Sequence, residues 1–179
     1  NVLNIYRYNV AVPPVMTIIG SNPATVELGS AYVDGGATAL NENHGNTPVT
    51  PSGNVDTSKV GSYVVTYSAT DLDGNTASAS RTVNVVDTTA PEVTVTGDNP
   101  VTTELGDTYT DAGATATDLS GTVEVVTSGT VDTDTVGEYT LTYTSTDASE
   151  NAGTATRTVN VTDTVKPVFT SSSTFIVDE

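Results

Sequence analysis

A twelve-residue stretch, Val60-Gly61-Ser62-Tyr63-Val64-Val65-Thr66-Tyr67-Ser68-Ala69-Thr70-Asp71, returns almost unchanged as Val136-Gly137-Glu138-Tyr139-Thr140-Leu141-Thr142-Tyr143-Thr144-Ser145-Thr146-Asp147. The two copies lie 76 residues apart, too far for a solenoid repeat and about right for a small autonomous domain. Within each copy apolar residues alternate with polar ones: Tyr63, Val65, Tyr67 and Ala69 share one face, and Tyr139, Leu141, Tyr143 and Ser145 repeat the choice. That period of two predicts a half-buried strand. The chain therefore reads as two tandem β-domains.

The Gly-x-Tyr that opens each strand resembles the tyrosine corner of immunoglobulin-like sandwiches, in which the Tyr hydroxyl bonds back to upstream backbone. Antibody-type domains carry Cys two residues later. Here Val65 and Leu141 stand there, and the chain has no cysteine at all, so apolar packing must replace the inter-sheet disulfide. The absence of Cys leaves the redox compartment open.

Around the repeated strand the rest of the chain recurs in order. Val15–Ile19, the turn Gly20-Ser21-Asn22-Pro23 and Val26-Glu27-Leu28-Gly29 return as Val93-Thr94-Val95, Gly97-Asp98-Asn99-Pro100 and Thr103-Glu104-Leu105-Gly106. Tyr32-Val33-Asp34-Gly35-Gly36-Ala37 returns as Tyr109-Thr110-Asp111-Ala112-Gly113-Ala114. The segments 40–52 and 117–128 diverge most and differ in length by one residue, which marks them as variable loops. After the repeated strand, Asp71-Leu72-Asp73-Gly74-Asn75 and Asp147-Ala148-Ser149-Glu150-Asn151 turn the chain into last strands that end Arg81-Thr82-Val83-Asn84-Val85 and Arg157-Thr158-Val159-Asn160-Val161. Val- and Thr-rich strands punctuated by Gly, Pro, Asn and Asp, without helical period, predict an all-β fold of two sandwiches. The expected domains are 14–87 and 88–163. Residues 1–13, with a possible strand at Val2, Leu3, Ile5, Tyr6 and Tyr8, are expected to end a preceding unit, and 164–179 to begin a following one.

The string Gly-x-Tyr, Thr-Asp-x-x-Gly-Asn, Arg-Thr-Val-x-Val-x-Asp-x-x-x-Pro resembles the bacterial immunoglobulin-like repeats related to the HYR and pesticidal-crystal-protein Ig-like families. The likeness covers residues 14–163, with Glu150 in place of the turn Gly in the second copy. It implies tandem modules of secreted and surface proteins, such as stalks, adhesins and accessory domains of secreted enzymes. It implies no activity. A second, shorter likeness lies in the tail, where Pro167-Val168-Phe169 and Phe175-Ile176-Val177-Asp178-Glu179 are similar to the opening strand of a cadherin-like repeat.

Charge narrows the partners. The formal net charge is −17, and it is uneven: seven acids against two bases in 14–87, thirteen against one in 88–163. A field of that sign repels phosphate backbones and anionic lipid, so nucleic acid and direct membrane insertion are excluded as expectations. No apolar run approaches the ~20 residues of a membrane helix. Asn1 begins no signal peptide, and the chain is expected to be a piece of a longer extracellular or cell-surface one.

The acidic turns carry the candidate chemistry. A last strand of about ten residues at ~3.3 Å each puts its start and end at opposite poles of a sandwich. The turn 147–151 then faces the linker that follows Asp87. Asp87, Asp147, Glu150 and Asn151 are the candidate ligands for a hard cation, calcium, which takes six to eight oxygens. Asp71, Asp73 and Asn75 form the equivalent group in the first domain. The alternative is a turn whose Asp and Asn bond their own backbone. Arg81 and Arg157 fall in the inward parity of their strands, and a buried guanidinium requires a partner, for which the recurring Asp34 and Asp111 are candidates. Tyr63, Tyr139, Arg81 and Arg157 are thus structural residues. His44 is the sole histidine, and no nucleophile has an activating base, so no enzyme is expected.

The reading is a non-catalytic spacer or adhesion module whose partners are neighbouring domains and a surface glycan or protein. The alternative is a carbohydrate-binding accessory module of a secreted polysaccharide-degrading enzyme. The scarcity of aromatics weighs against it, although Tyr6, Tyr8, Tyr32 and Tyr109 lie outside the repeated strand.

Overall fold

The computed structural model of the chain describes residues 11–168. The possible strand at Val2–Tyr8 and the cadherin-like tail from Phe169 lie outside those residues. The described residues divide into two compact units, one up to Thr89 with Leu119–Gly121 grouped to it, the other running from Ala90 through the remainder.

All regular structure in the described residues is β. The first unit contains β1 (Val15–Ile18), β2 (Ala24–Glu27), β3 (Ala37–Asn41), β4 (Gly45–Thr47), β5 (Val49–Ser52), β6 (Gly61–Thr70) and β7 (Thr76–Val86). One sheet has the order β1-β3-β4 and the other β2-β7-β6-β5. Every pairing is antiparallel except that of β2 with β7, which run side by side in parallel. The second unit repeats this with β8 (Glu92–Val95), β9 (Val101–Glu104), β10 (Ala114–Thr117), β11 (Val125–Ser128), β12 (Gly137–Thr146) and β13 (Ala152–Thr162). Its four-stranded sheet is β11-β12-β13-β9, and its second sheet is reduced to β8 and β10. The missing partner strand falls in the segment where the two copies diverge and one residue is lost.

The repeated strand is the centre of each sandwich. In β6, Val65, Tyr67 and Ala69 are buried, and in β12 Leu141, Tyr143 and Ser145 take those places, on the faces that their alternation predicts. Val65, Tyr67 and Val83 nucleate one core, against which Met16, Ile18, Val26 and Val49 pack. Leu141, Tyr143 and Val159 nucleate the other, with Val93, Val95, Val101 and Val125 around them. Each such side chain, fully buried, contributes about 1.5–3 kcal/mol.

Both tyrosine corners are formed. The Tyr63 hydroxyl donates to the Lys59 carbonyl at 3.0 Å, and that of Tyr139 to the Thr135 carbonyl at 2.9 Å. The close crossing just upstream requires glycine: Gly53 and Gly129 have φ of 109° and 97°, and a Cβ there would collide with the carbonyl oxygens of Val64 and Thr140. The turn asparagines act as short false strands. Asn22 Nδ2 donates to Ser80 O at 2.9 Å while its Oδ1 accepts the Thr82 N–H at 3.0 Å, and Asn99 does the same with Thr156 and Thr158.

The buried arginines pair with the repeated aspartates. Arg81 Nε lies 3.5 Å from Asp34 Oδ1, and Arg157 Nε 3.4 Å from Asp111 Oδ1. The same carboxylate oxygens accept the Tyr67 and Tyr143 hydroxyls at 2.5 and 2.7 Å. Each guanidinium also donates through Nη2 to two backbone carbonyls, those of Ile19 and Gly36 for Arg81 and those of Thr96 and Gly113 for Arg157. Burial pushes Asp34 and Asp111 up. Hydrogen bonds from tyrosines and backbone, with the nearby guanidinium, outweigh it and hold both below the usual carboxylate range. Burial and the bond to the aspartate push the Tyr67 and Tyr143 hydroxyls to about 12.

Candidate functional site

After β6 the chain must reverse within five residues to begin β7, and Asp71 organises that reversal from inside. Its Oδ1 accepts the N–H groups of Asp73 and Asn75 at 2.9 and 2.8 Å, and its Oδ2 accepts the amides of Asn75 and Asn41 at 3.0 and 2.8 Å. Asn41, at the end of β3, also donates to Val12 O and accepts the N–H groups of Asn43 and His44. Asp71 is buried, which pushes its carboxyl up, but the bonds from Asn75 and Asp73 and the nearby His44 overcome this and lower it. His44 Nε2 sits 3.5 Å from Asp73 Oδ2, the nearest thing to an ion pair at this pole. Of the candidate ligands in the first repeat, Asp71 and Asn75 are therefore joined to each other, with the Asp73 carboxylate 3.5 Å from His44 beside them.

The second repeat builds the same turn. Asp147 Oδ1 accepts the N–H groups of Ser149 and Asn151 at 2.8 Å each, and Oδ2 accepts the Asn151 amide at 2.8 Å. Glu150 takes the position of Gly74 with φ of 69°, a left-handed conformation that a side chain disfavours, and its own side chain is exposed. The larger difference stands opposite. Where the first repeat has Asn41, the second has Asp118, and carboxylate oxygens of Asp118 and Asp147 lie within 4.8 Å of one another. An amide that donated to the turn carboxylate has become a second carboxylate. Glu92 at the start of β8 pairs with Thr117, and a Cβ on Gly153 would collide with Pro91 O, so this acidic turn stands at the pole where the chain enters the second unit.

Opposite poles carry a different acidic device. Glu27 closes β2 and grips the residues that follow β7: Oε1 accepts the Thr88 N–H at 2.8 Å and the Thr89 hydroxyl at 2.9 Å, and Oε2 accepts the Thr88 hydroxyl at 2.9 Å. Glu104 holds Thr164 in the same way, at 2.6 Å to its N–H and 2.8 Å to its hydroxyl. The backbone bond from Thr88 is the largest influence on Glu27, and that from Thr164 on Glu104, and both carboxyls are lowered. Asp87 and Asp163 close the first turn beyond each body by accepting the N–H groups of Thr89 and Val165 at 3.2 Å. The reading by sequence named Asp87 and the turn residues but missed Asp118 and the two glutamates. Glu27 and Glu104 do recur in register, and Asn41 aligns with Asp118 ahead of the one-residue gap, so the signal was positional rather than compositional.

No helix among the described residues is long and apolar enough to cross a membrane. A search of known proteins finds hyalin of Lytechinus variegatus 35% identical over 186 residues, covering 92% of this chain and 34% of that protein. Hyalin of Strongylocentrotus purpuratus is 34% identical and also covers 92% of the chain, which spans only 15% of its length. Among solved structures, a lipoprotein from Bacteroides thetaiotaomicron is 21% identical with a TM-score of 0.38, covering 75% of this chain and 61% of that one. The family described as "Bacterial surface protein, Ig-like domain" matches residues 16–85 and again 93–161. With both repeats matched, the chain belongs to the bacterial surface protein Ig-like domain family.

Proposed function

We propose that the chain is a non-catalytic spacer or adhesion module of a secreted or cell-surface multidomain protein, with folded units joined by linkers that are held stiff where they leave each body. The observation that carries this reading is the glutamate clamp. Glu27 and Glu104 each spend a carboxylate on the first residues beyond the last strand, at the same position in both repeats. Charge-assisted bonds to backbone N–H and Thr hydroxyl remove freedom where an uncapped linker would fray. A stalk requires that stiffness, and an isolated globular domain does not.

Calcium at the entry pole of the second repeat is the finer part of the proposal. Two oxygens bound to one calcium at about 2.3–2.6 Å lie no more than ~5 Å apart, a limit that Asp118 and Asp147 meet. Asp147 is already oriented by its turn, so the pair is preorganised. A cation would relieve the repulsion between two carboxylates and fasten the entering strand to the turn.

Two measurements test these statements separately. Backbone relaxation at Thr88 and Thr89 should give rigid order parameters that fall toward ~0.6 or less in Glu27→Ala; unchanged values would show that the glutamate does not stiffen the linker. Thermal unfolding in EDTA against millimolar calcium should show a calcium-dependent rise that Asp118→Ala with Asp147→Ala abolishes, because a ligand of the folded state alone raises the melting temperature. Coincident curves for the unaltered chain would reject calcium and leave the clamp standing.

A further inference from the structure

Each repeat has a groove that neither the clamp nor the acidic turn uses. In the second unit it is an open depression of about 540 Å³ between the segment that follows β9 and the crossing ahead of β12, and Tyr109, Asp111, Val131, Thr133 and Leu141 line it. In the first unit the equivalent Tyr32, Asp34, Val55, Thr57 and Val65 line a groove of about 420 Å³. Two units that fold around separate cores thus keep the same concavity with a shared set of side chains, the second adding Asp107 and replacing Val65 by Leu141. Both volumes fall within the ~300–1,000 Å³ of small-molecule sites.

The lining decides the class of ligand by elimination. Neither groove is lined by Lys, Arg or His; Asp34 and Asp111 are their shared carboxylates and Asp107 lines the second groove as well, so an anion finds no partner. A cation fares no better at Asp34 or Asp111, and Asp107 by itself offers one carboxylate where a hard cation takes six to eight oxygens. The buried Arg157 guanidinium is 3.4 Å from Asp111 and that of Arg81 3.5 Å from Asp34, so the charge is already compensated and a second cation would face the first. A flat apolar ligand would strand the Thr hydroxyls and the carboxylate without partners. What remains is a neutral ligand rich in hydroxyls.

We propose that each groove is a shallow site for one sugar unit of a polysaccharide, with Asp111 and Asp34 accepting its hydroxyls and Val131–Leu141 and Val55–Val65 receiving its C–H face. The Asp111 side chain keeps 24% of its surface open and that of Asp34 27%, while Tyr143 and Tyr67, bonded behind them, fix the carboxylates in place. Thr133 and Thr57 supply hydroxyls on the wall, and Tyr109 and Tyr32 are locked by their own bonds of 3.2 Å to the aspartates. A preorganised acceptor beside an apolar wall matches a sugar ring, which has hydroxyls on its edge and C–H groups on its faces. The site goes beyond the spacer reading and does not rest on it.

Amide spectra of the full chain, titrated in turn with millimolar glucose, galactose, mannose, N-acetylglucosamine, cellobiose and lactose, test the site. At least one of these sugars should give saturable shifts at residues 31–34 and 53–57 and at 107–111 and 129–133. Thr130→Trp, which fills the second groove from an exposed rim position, should abolish the second set and leave the first, and Asn54→Trp should do the reverse. The other amides of each variant report that the fold is kept. No groove shift with any of the six sugars, or shifts that survive the filling variant, overturns the proposal. So does a groove response to calcium chloride or sodium phosphate in place of the sugars.

Discussion

The two repeats fold to the same sandwich and differ at the pole where the chain enters. In the first, Asn41 donates to Asp71, so the turn carboxylate is satisfied by amides alone. In the second, Asp118 stands there and brings a second negative charge toward Asp147. The backbone is the same turn in both, with Oδ1 of the aspartate accepting from the residues two and four ahead. A change from amide to carboxylate therefore separates a turn closed by amides from the one at which we propose a cation.

The comparison can be broken most severely at its shared core. In the second repeat Arg157 Nε donates to the Tyr143 hydroxyl at 3.0 Å, whereas Arg81 Nε has no hydrogen-bond partner and its guanidinium lies 6.0 Å from the Tyr67 ring centre. Arg157→Leu should cost its repeat about 3–5 kcal/mol and Arg81→Leu less, measured by urea titration with the amide signals of each repeat followed separately. Equal losses would show that the two networks are equivalent despite their geometry.

Exchange at the entry pole comes next. In EDTA, Asn41→Asp should destabilise the first repeat by about 1–3 kcal/mol, because a buried carboxylate loses its donor and gains a like charge. Asp118→Asn should stabilise the second repeat by ~1 kcal/mol in EDTA and remove its response to calcium. If the first repeat of Asn41→Asp acquires a calcium response, that position alone decides metal dependence.

Two smaller substitutions sharpen the same comparison. Glu150→Gly should stabilise the second repeat by about 1–2 kcal/mol by relieving a left-handed side-chain residue, and Gly74→Glu should cost the first a similar amount. Ser145 is buried with its hydroxyl unpartnered where the first repeat has Ala69, so Ser145→Ala should gain ~1 kcal/mol. Thermal or urea unfolding resolves both.

pH should separate the repeats least, since the shifted aspartates and tyrosines of the buried network recur. Asp34 and Asp111 are lowered in the folded state, so their contribution is complete above the unfolded carboxylate range and is lost as pH falls through the folded values. Tyr67 and Tyr143 are raised from 10 to about 12, so theirs is complete below pH 10 and is lost as pH rises to about 12. Stability profiles of the two repeats should therefore fall together at both extremes. A repeat that fell alone would point to a titrating group outside the shared network.

Much of this was legible in the chain because it is local or repeated. Alternation set the buried faces of β6 and β12, Gly-x-Tyr gave both corners, and the inward parity of Arg81 and Arg157 required partners that the recurring aspartates supply. The turn aspartates were visible too, since their bonds run to residues two and four ahead.

Contacts between distant residues that no inward parity announces were not legible. Asn41 meets Asp71 across 30 residues and Glu27 meets Thr88 across 61, and nothing in either neighbourhood specifies the other. The parallel pairing of β2 with β7, which places Glu27 beside the residues that leave the strand, is likewise a choice of topology. The sequence by itself determined the repeat, the strands and the faces they bury, because those follow from a period of two and from turn chemistry. Only the tertiary structure decided which acids meet donors, linkers or other acids, because that depends on which strand ends the sheets bring to the same pole.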